Sequence, residues 1–410
     1  MKEFFYFDNA ATSWPKPERV YRFMDEFYRS HGVNPGRTGF QLAAEAEVMI
    51  FETRRLLADF FGFGGDPNRV VFSLNATDSL NSALKGLVGP GDHMIITRTE
   101  HNSVLRPANH LERDDGVSVT RIERDAGGFV DPSDIRRAIT PDTKAVVVNH
   151  ASNVLGSLQD IEAIGAAVQD TDAVLVLDSC QTAGVIPVEM DAWGVDVLVF
   201  TGHKGLFGPM GIGGMIVREG VDIAPARVGG TGVDSITPFQ PDGYPHRLEA
   251  GTLPLPGIAG LNAAQHWFAE IGRDQLGLKV TDESAHKVLV RAAMNHIHAT
   301  ELSHTAKIFD LCSQLDNVRI YGPKENASRV ATLSINIGNL PPDQVASMLD
   351  ADYGICVRPG LHCAPLIHED ENTIARKGTV RFSPGFFTDD EDMEQVGEAI
   401  VSISDYAGRK

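Results

Sequence analysis

Asp196-Val197-Leu198-Val199-Phe200-Thr201-Gly202-His203-Lys204-Gly205 is an apolar run that ends abruptly in a hydroxyl, an imidazole and an amine. Its apolar residues are successive, not alternating, which fits a strand buried on both faces. Such strands belong to mostly parallel sheets covered by helices. The same signature stands upstream at Arg69-Val70-Val71-Phe72, Met94-Ile95-Ile96-Thr97, Ala145-Val146-Val147-Val148 and Ala173-Val174-Leu175-Val176-Leu177. Between these runs the segments 77–88, 103–114 and 160–169 read as helices. Strand and helix in alternation predict an α/β architecture with crossover helices and a mostly parallel sheet.

Downstream the grain changes. A long helical stretch is expected over roughly 280–315, then strands near 330–337, 354–357 and 378–382. The final helix opens at Thr388-Asp389-Asp390-Glu391, read as a capping box, and carries Met393, Val396, Ile400 and Ile403 on one face. A chain of 410 residues leaves room for two domains. The expected division is a large α/β domain over 16–270 and a smaller α+β domain over 271–410, joined by residues 1–15.

Composition narrows the function classes. With 42% hydrophobic and 22% charged residues the chain can bury a core, which excludes disorder. A net charge of −19 repels phosphate backbones and anionic lipid, so neither nucleic acid nor a membrane surface is an expected partner. The longest stretch free of Lys, Arg, Asp and Glu, Ala250 to Ala269, is broken by Pro254, Pro256, Asn262, Gln265 and His266, and does not read as a membrane span. The apolar run near the start, Phe4 to Phe7, is too short for a signal-peptide core. The four cysteines, 180, 312, 356 and 363, show no metal-ligand spacing and are too sparse for a disulfide framework. No metal is expected, and a reducing cytoplasm fits.

In open α/β sheets, ligands bind beyond the carboxyl ends of the strands. Ser73-Leu74-Asn75-Ala76-Thr77-Asp78 follows one strand and opens a helix, whose free N–H groups suit a phosphate. Asn75 or Thr77 alone would read as an ordinary helix cap. Asp178-Ser179-Cys180-Gln181 follows a second strand, and Thr201 to Lys204 a third. Pyridoxal phosphate requires a lysine amine to hold it, a carboxylate to keep its pyridine nitrogen protonated, and a phosphate cradle. Lys204, Asp178 and the Asn75–Thr77 turn could supply all three. His101, in Glu100-His101-Asn102-Ser103, could stack on the ring and serve as acid/base.

These residues, with Tyr6-Phe7-Asp8-Asn9-Ala10-Ala11-Thr12, Thr99-Glu100-His101-Asn102, His150-Ala151-Ser152-Asn153-Val154-Leu155-Gly156, Glu249-Ala250-Gly251-Thr252 and Arg358-Pro359-Gly360-Leu361-His362-Cys363-Ala364, resemble the class V aminotransferase-fold cysteine desulfurases. The cysteine-bearing segment is similar to the group II, sulfur-mobilisation type, which includes selenocysteine lyase-like enzymes. The motifs stand in the family's order and span almost the whole chain.

The resemblance implies a fold type I enzyme with pyridoxal 5'-phosphate, working as a homodimer on L-cysteine. By it, Lys204 holds the cofactor covalently, Asp178 pairs with the pyridine nitrogen, Gln181 bonds the ring hydroxyl oxygen and His101 stacks on the ring. Ala76, Thr77, Thr201 and His203 hold the phosphate, with Thr252 reaching across from a second subunit. Asn153 and Arg381 bind the substrate carboxylate, and Arg358 lines the cysteine loop. Cys363 takes the sulfur as a persulfide, L-alanine leaves, and a sulfur-acceptor protein is an expected partner. Arg358 and His362 are both expected to favour the thiolate of Cys363. The chain departs from the family pattern at Ala76, which offers the phosphate only its N–H. It also departs at Arg37, in a segment where relatives often carry a histidine, and at Cys180, read as a packing residue. Other readings of the same motifs are a selenocysteine lyase or another β-lyase, a transaminase that would not need Cys363, and a sulfur-scaffold protein without turnover.

Overall fold

The computed structural model describes residues 4–35, 39–279, 282, 284–324 and 329–409; Arg37 lies outside them. In chain order the strands are β1 (Phe5–Tyr6), β2 (Val70–Ser73), β3 (His93–Thr97), β4 (Ser118–Ile122), β5 (Thr143–Asn149), β6 (Val174–Asp178), β7 (Val197–Thr201), β8 (Gly213–Val217), β9 (Val318–Tyr321), β10 (Leu333–Ile337), β11 (Ile355–Cys356), β12 (Arg358–Gly360) and β13 (Thr379–Phe382). The helices are α1 (Glu18–His31), α2 (Gln41–Phe60), α3 (Ala76–Leu87), α4 (Asn102–Asp114), α5 (Pro132–Ala138), α6 (Ile161–Val168), α7 (Leu255–Gln275), α8 (His286–Ser313), α9 (Pro342–Tyr353), α10 (Pro365–Asp370) and α11 (Asp390–Gly408).

The main sheet has seven strands in the order β2-β8-β7-β6-β5-β3-β4. Six run in one direction, and β8 alone lies antiparallel, between β7 and β2. The apolar runs read from the sequence are these strands, and β2, β3, β7 and β8 are buried along their whole length. Helices cover both faces. Phe60, Phe200, Trp267 and Phe268 sit in the core on one side, and Leu80, Leu84, Val104 and Leu111 in the core on the other.

A second, smaller core forms around the antiparallel sheet β12-β13-β10-β9. It joins Leu333 and Ile335 to Val396, Ile400 and Ile403 of α11, and takes in Phe5 and Phe7 from the start of the chain. There β1 pairs in parallel with β11. The single helix α8 serves both cores: Val290, Met294 and Ile297 pack on the large one, Ile308 and Cys312 on the small one.

Three expectations are corrected in detail. The long helical stretch begins at His286, not 280, and the uncharged segment before it is a helix of its own, α7. The strand expected from 330 starts at Leu333, because Arg329 to Thr332 is irregular backbone turned toward the Leu155–Gly156 loop. The capping box of α11 lies one residue later, between Asp389 and Asp392. The hydroxyl of Thr388 instead accepts from the Gly385 N–H at 2.9 Å, so it is spent on the preceding turn. Among the described residues no helix is long and apolar enough to cross a membrane.

Candidate active site

The carboxyl ends of β7, β6, β5, β3 and β2 deliver their following residues to one cleft of about 230 Å³. From β7 come Thr201, His203 and Lys204; from β6 come Asp178, Cys180 and Gln181. Asn149 and Asn153 follow β5, His101 follows β3, and Ala76 and Thr77 open α3 after β2. Arg358, Cys363 and Arg381 close the cleft from the small antiparallel sheet. Of the residues singled out from the sequence, only Thr252 stands elsewhere. It is exposed beside a separate cavity of about 640 Å³ with Gly230 and Arg54, so within one chain it does not reach the cleft.

The donors at the β7 end fit a phosphate. Among the described residues Thr201 Oγ1 and His203 Nδ1 are buried without a hydrogen-bond partner, a costly arrangement unless a ligand completes it. Asn75 caps α3, its side-chain oxygen accepting from the Asp78 N–H at 3.0 Å. That helix start faces the cleft through Ala76 and Thr77, and its dipole favours an anion there. Burial, with the charges of Lys204 and Lys16 adding to it, pushes the His203 imidazole down to about 4. It is neutral at physiological pH and acts there by hydrogen bonding, not by charge.

Asp178 stands at the floor, where its Oδ1 accepts from the Cys180 N–H at 2.9 Å. Cys180 lines the cleft, and burial followed by the Asp178 charge raises its thiol well above the usual range, so it stays protonated. His101 is the N-cap of α4, its Nδ1 accepting from the Ser103 N–H at 3.1 Å. That bond leaves the second ring nitrogen to carry the proton and fixes the plane of the imidazole. Burial, then the positive charge of Lys204, lowers His101 to about 4, and a neutral ring is suited to lie against a cationic heterocycle.

The cysteine loop is pinned from three sides. The Asn102 N–H donates to the Cys363 carbonyl at 2.7 Å, and the Asn153 side chain donates to the His362 carbonyl at 2.5 Å. Arg358 reaches to 3.9 Å from Cys363 Sγ. His362 and Cys363 both adopt left-handed backbone, with φ of 48° and 60°. Non-glycine residues take that conformation at some energetic cost, as functional loops often do. Gly378 allows β13 to pass close behind, since a Cβ there would meet the Gly360 carbonyl oxygen at 2.1 Å. The expectation for His362 is corrected. Its ring is buried against Thr379 at 3.1 Å, and burial first, then Arg381, holds it well below its ordinary pKa. It is neutral and cannot favour a thiolate by charge; Arg358 is the cation at Cys363.

Sequence reading missed a clamp at the start of the chain. The Thr12 hydroxyl donates to the His203 carbonyl at 2.9 Å, the Ser13 hydroxyl to the Lys204 carbonyl at 2.8 Å, and Lys16 Nζ to the His203 carbonyl at 2.5 Å. Burial lowers Lys16 to about 7. Asp8 accepts from Arg381 at 2.6 Å, while Arg381 also donates to the Asn153 carbonyl at 3.0 Å. The Asp8–Thr12 motif was visible, but nothing in its spacing says that it faces Lys204 and Arg381.

Comparison with known proteins agrees with this geometry. The profile of the family described as Aminotransferase class-V matches residues 5–396, and the chain belongs to that family. Its relatives include the probable cysteine desulfurase of Methanothermobacter thermautotrophicus, 32% identical with 98% of this chain and 96% of the relative covered. Another, from Pyrococcus abyssi and also named a probable cysteine desulfurase, is 32% identical over 96% of this chain and 92% of its own. Among solved structures, the apo cysteine desulfurase of Thermococcus onnurineus NA1 is similar with a TM-score of 0.86 and 31% identity, covering 98% of this chain and 95% of that one. Enzymes of this family depend on pyridoxal phosphate, the group that the Lys204 cleft fits.

Proposed function

We propose that this chain is a pyridoxal-phosphate-dependent cysteine desulfurase, a sulfurtransferase that converts L-cysteine to L-alanine and carries the sulfur as a persulfide on Cys363. The observation that carries the reading is the convergence of Lys204, Asp178, His101 and Cys363 on one cleft, with orphaned phosphate donors at Thr201 and His203. When bound, the cofactor supplies an electron sink for the pair released at the substrate's α-carbon. Lys204 holds the cofactor and then moves the α-proton. Asp178 would keep the pyridine nitrogen protonated, Gln181 would bond the ring hydroxyl oxygen, and His101 would lie against the ring. Ala76, Thr77, Thr201 and His203 would take the phosphate. Arg381, kept straight by Asp8, receives the substrate carboxylate together with Asn153. The thiolate of Cys363 attacks the substrate sulfur, the carbon–sulfur bond breaks, and the sulfur stays on the enzyme.

The large and small domains, 16–270 and 271–410 with 1–15, belong to this reading, as do a homodimer with Thr252 serving the partner's phosphate site, a cytoplasmic setting and a protein sulfur acceptor. The deciding experiment uses Cys363→Ala. That variant should bind cofactor and L-cysteine but lose alanine formation about 100-fold or more, the scale of removing a nucleophile. L-selenocysteine should suffer less, since selenolate leaves unaided. Mass spectrometry should find added sulfur on Cys363 in the native enzyme and on none of Cys180, Cys312 or Cys356. Undiminished alanine formation from L-cysteine by the variant would sink the persulfide route.

A further inference from the structure

Cys363 lines two cavities, and the second one opens away from the cofactor cleft. It is an open groove of about 790 Å³ between α3 and α4, sharing Thr77, His101, Ser103 and Cys363 with the first. Its walls carry Lys85, Arg106 and His110 over an apolar floor that includes Val88, Pro107 and Leu111. Lys85 and Arg106 are exposed, and among the described residues neither has an ion-pair or hydrogen-bond partner. For Arg106 that is unusual in this chain, where most arginines are bound to a carboxylate or a backbone carbonyl and the net charge is −19. On the cofactor-cleft side of Cys363 stands Arg358, whose one polar contact among the described residues is with the Cys363 sulfur. Of the acids at the outer end, Asp114 is held by Arg113 at 2.6 Å and by His110 at 3.2 Å, and Asp115 is exposed. Two unpaired cations, Lys85 and Arg106, thus line a groove that also carries the paired Asp114 and the exposed Asp115, and the groove reaches Cys363. Such an arrangement concentrates anions locally.

Granting the reading of Cys363 as the sulfur-bearing thiol, we propose that this groove seats an acidic, cysteine-bearing polypeptide segment of the sulfur acceptor. The length argues for a segment. From Asn102, which holds the Cys363 carbonyl, to His110 the helix rises about 12 Å, and Arg106 stands about 6 Å along it. An extended chain covers about 12 Å with roughly four residues, so an acceptor thiol at Cys363 places acids two to four residues away beside Arg106 and Lys85. In the transfer, the acceptor thiolate attacks the outer sulfur of the Cys363 persulfide. The sulfur–sulfur bond breaks, Cys363 leaves as thiolate, and the acceptor keeps the sulfur and its proton. No further oxidant or reductant enters.

The test uses the cofactor-loaded enzyme, labelled with sulfur from L-cysteine, and three capped peptides: EEDGCG, its neutral counterpart QQNGCG, and KKKGCG. Transfer to the acidic peptide should be about tenfold faster than to the neutral one at low salt, and slowest to the basic one. The advantage should fade as salt rises toward roughly 0.3 M. The double variant Lys85→Glu and Arg106→Glu should reverse the order of the peptides while forming the Cys363 persulfide at the native rate, with unchanged mass in solution. Equal rates on all three peptides, or an unchanged order in the double variant, overturn the proposal. So does a faster reaction with free anionic thiols such as thioglycolate than with the peptide, which would make the groove a small-molecule passage. A change of mass in the double variant would assign the face to contact between subunits instead. Absence of persulfide on Cys363 in the native enzyme would overturn the desulfurase reading itself, a result distinct from all of these.

Discussion

Lys204 follows a buried strand and lines a cleft, so its proposed role in chemistry is separable from the stability of the sheet. The strand before it is fully buried and carries the packing, whereas in the proposed reading the amine carries the reaction. Lys204→Ala should fold normally and lose the long-wavelength absorbance of covalently held cofactor, with turnover of L-cysteine falling to background. Steady turnover would move the assigned role elsewhere. Asp178 makes a finer demand. Asp178→Asn keeps an oxygen for the Cys180 N–H but removes the charge that a protonated pyridine nitrogen needs. Cofactor should stay bound while alanine formation drops about 100-fold or more, the range of lost electrostatic stabilisation. Near-native rates would mean that another group pairs with the ring nitrogen.

At the scale of elements, helix ends do much of the positioning. His101 caps α4 and Asn75 caps α3, so two residues beside the cofactor cleft also satisfy backbone donors. Another cap lies far from the chemistry. In α11 the Asp389 side chain accepts from the Asp392 N–H at 3.1 Å, and Asp392 accepts from the Asp389 N–H at 2.8 Å. Three acids in the first turn add to this through the helix dipole. Asp389→Ala should lower stability by about 1 kcal/mol, read from denaturant unfolding, with kcat unchanged. A large loss of activity would tie α11 to the site more closely than its place in the small core implies. The sequence showed the box but misplaced it by one residue, because Thr388 and Asp389 are both good caps and only the turn at Gly385 decides between them.

Across the whole molecule, buried carboxyls set the response to pH. Burial raises Glu100 to about 8, with the neighbouring charge of Asp178 acting in the same direction, and burial raises Glu301 to about 8. An unfolded glutamate loses its proton near 4.3, whereas the folded chain keeps it. Between about pH 4 and about pH 8 the native state therefore binds more protons than the unfolded one, and stability falls as pH rises. Glu100→Gln keeps an oxygen for the Thr97 hydroxyl at 2.8 Å and the Asn149 N–H at 2.9 Å, but removes the titration. Relative to the native protein it should gain stability as pH rises through this window, by on the order of 1 kcal/mol per unit at most. A parallel pH dependence in the two proteins would show that Glu100 titrates normally. The pair Arg54–Glu249 is a buried charge of another kind. It is doubly bonded at 2.8 Å, and Glu249 also accepts from the Phe72 N–H, tying α2, β2 and the Thr252 loop together.

The sequence by itself determined five of the seven strands of the main sheet, the α/β alternation and the residues that follow those strands, while β4 and β8 were not read from it. These are short-range matters of apolar run length, helical period and capping chemistry, readable within a dozen residues. It also placed Lys204, Asp178, His101 and Cys363 in one functional set, through the order of their motifs. Only the tertiary structure decided which groups face them. The Asp8–Arg381 bond joins residues 373 apart in the chain, and the clamp of Thr12, Ser13 and Lys16 on His203 and Lys204 closes over 187 to 191. His362 lost its expected charge for the same reason. A ring next to Cys363 in sequence is buried against Thr379, and burial, which no local pattern encodes, holds it neutral.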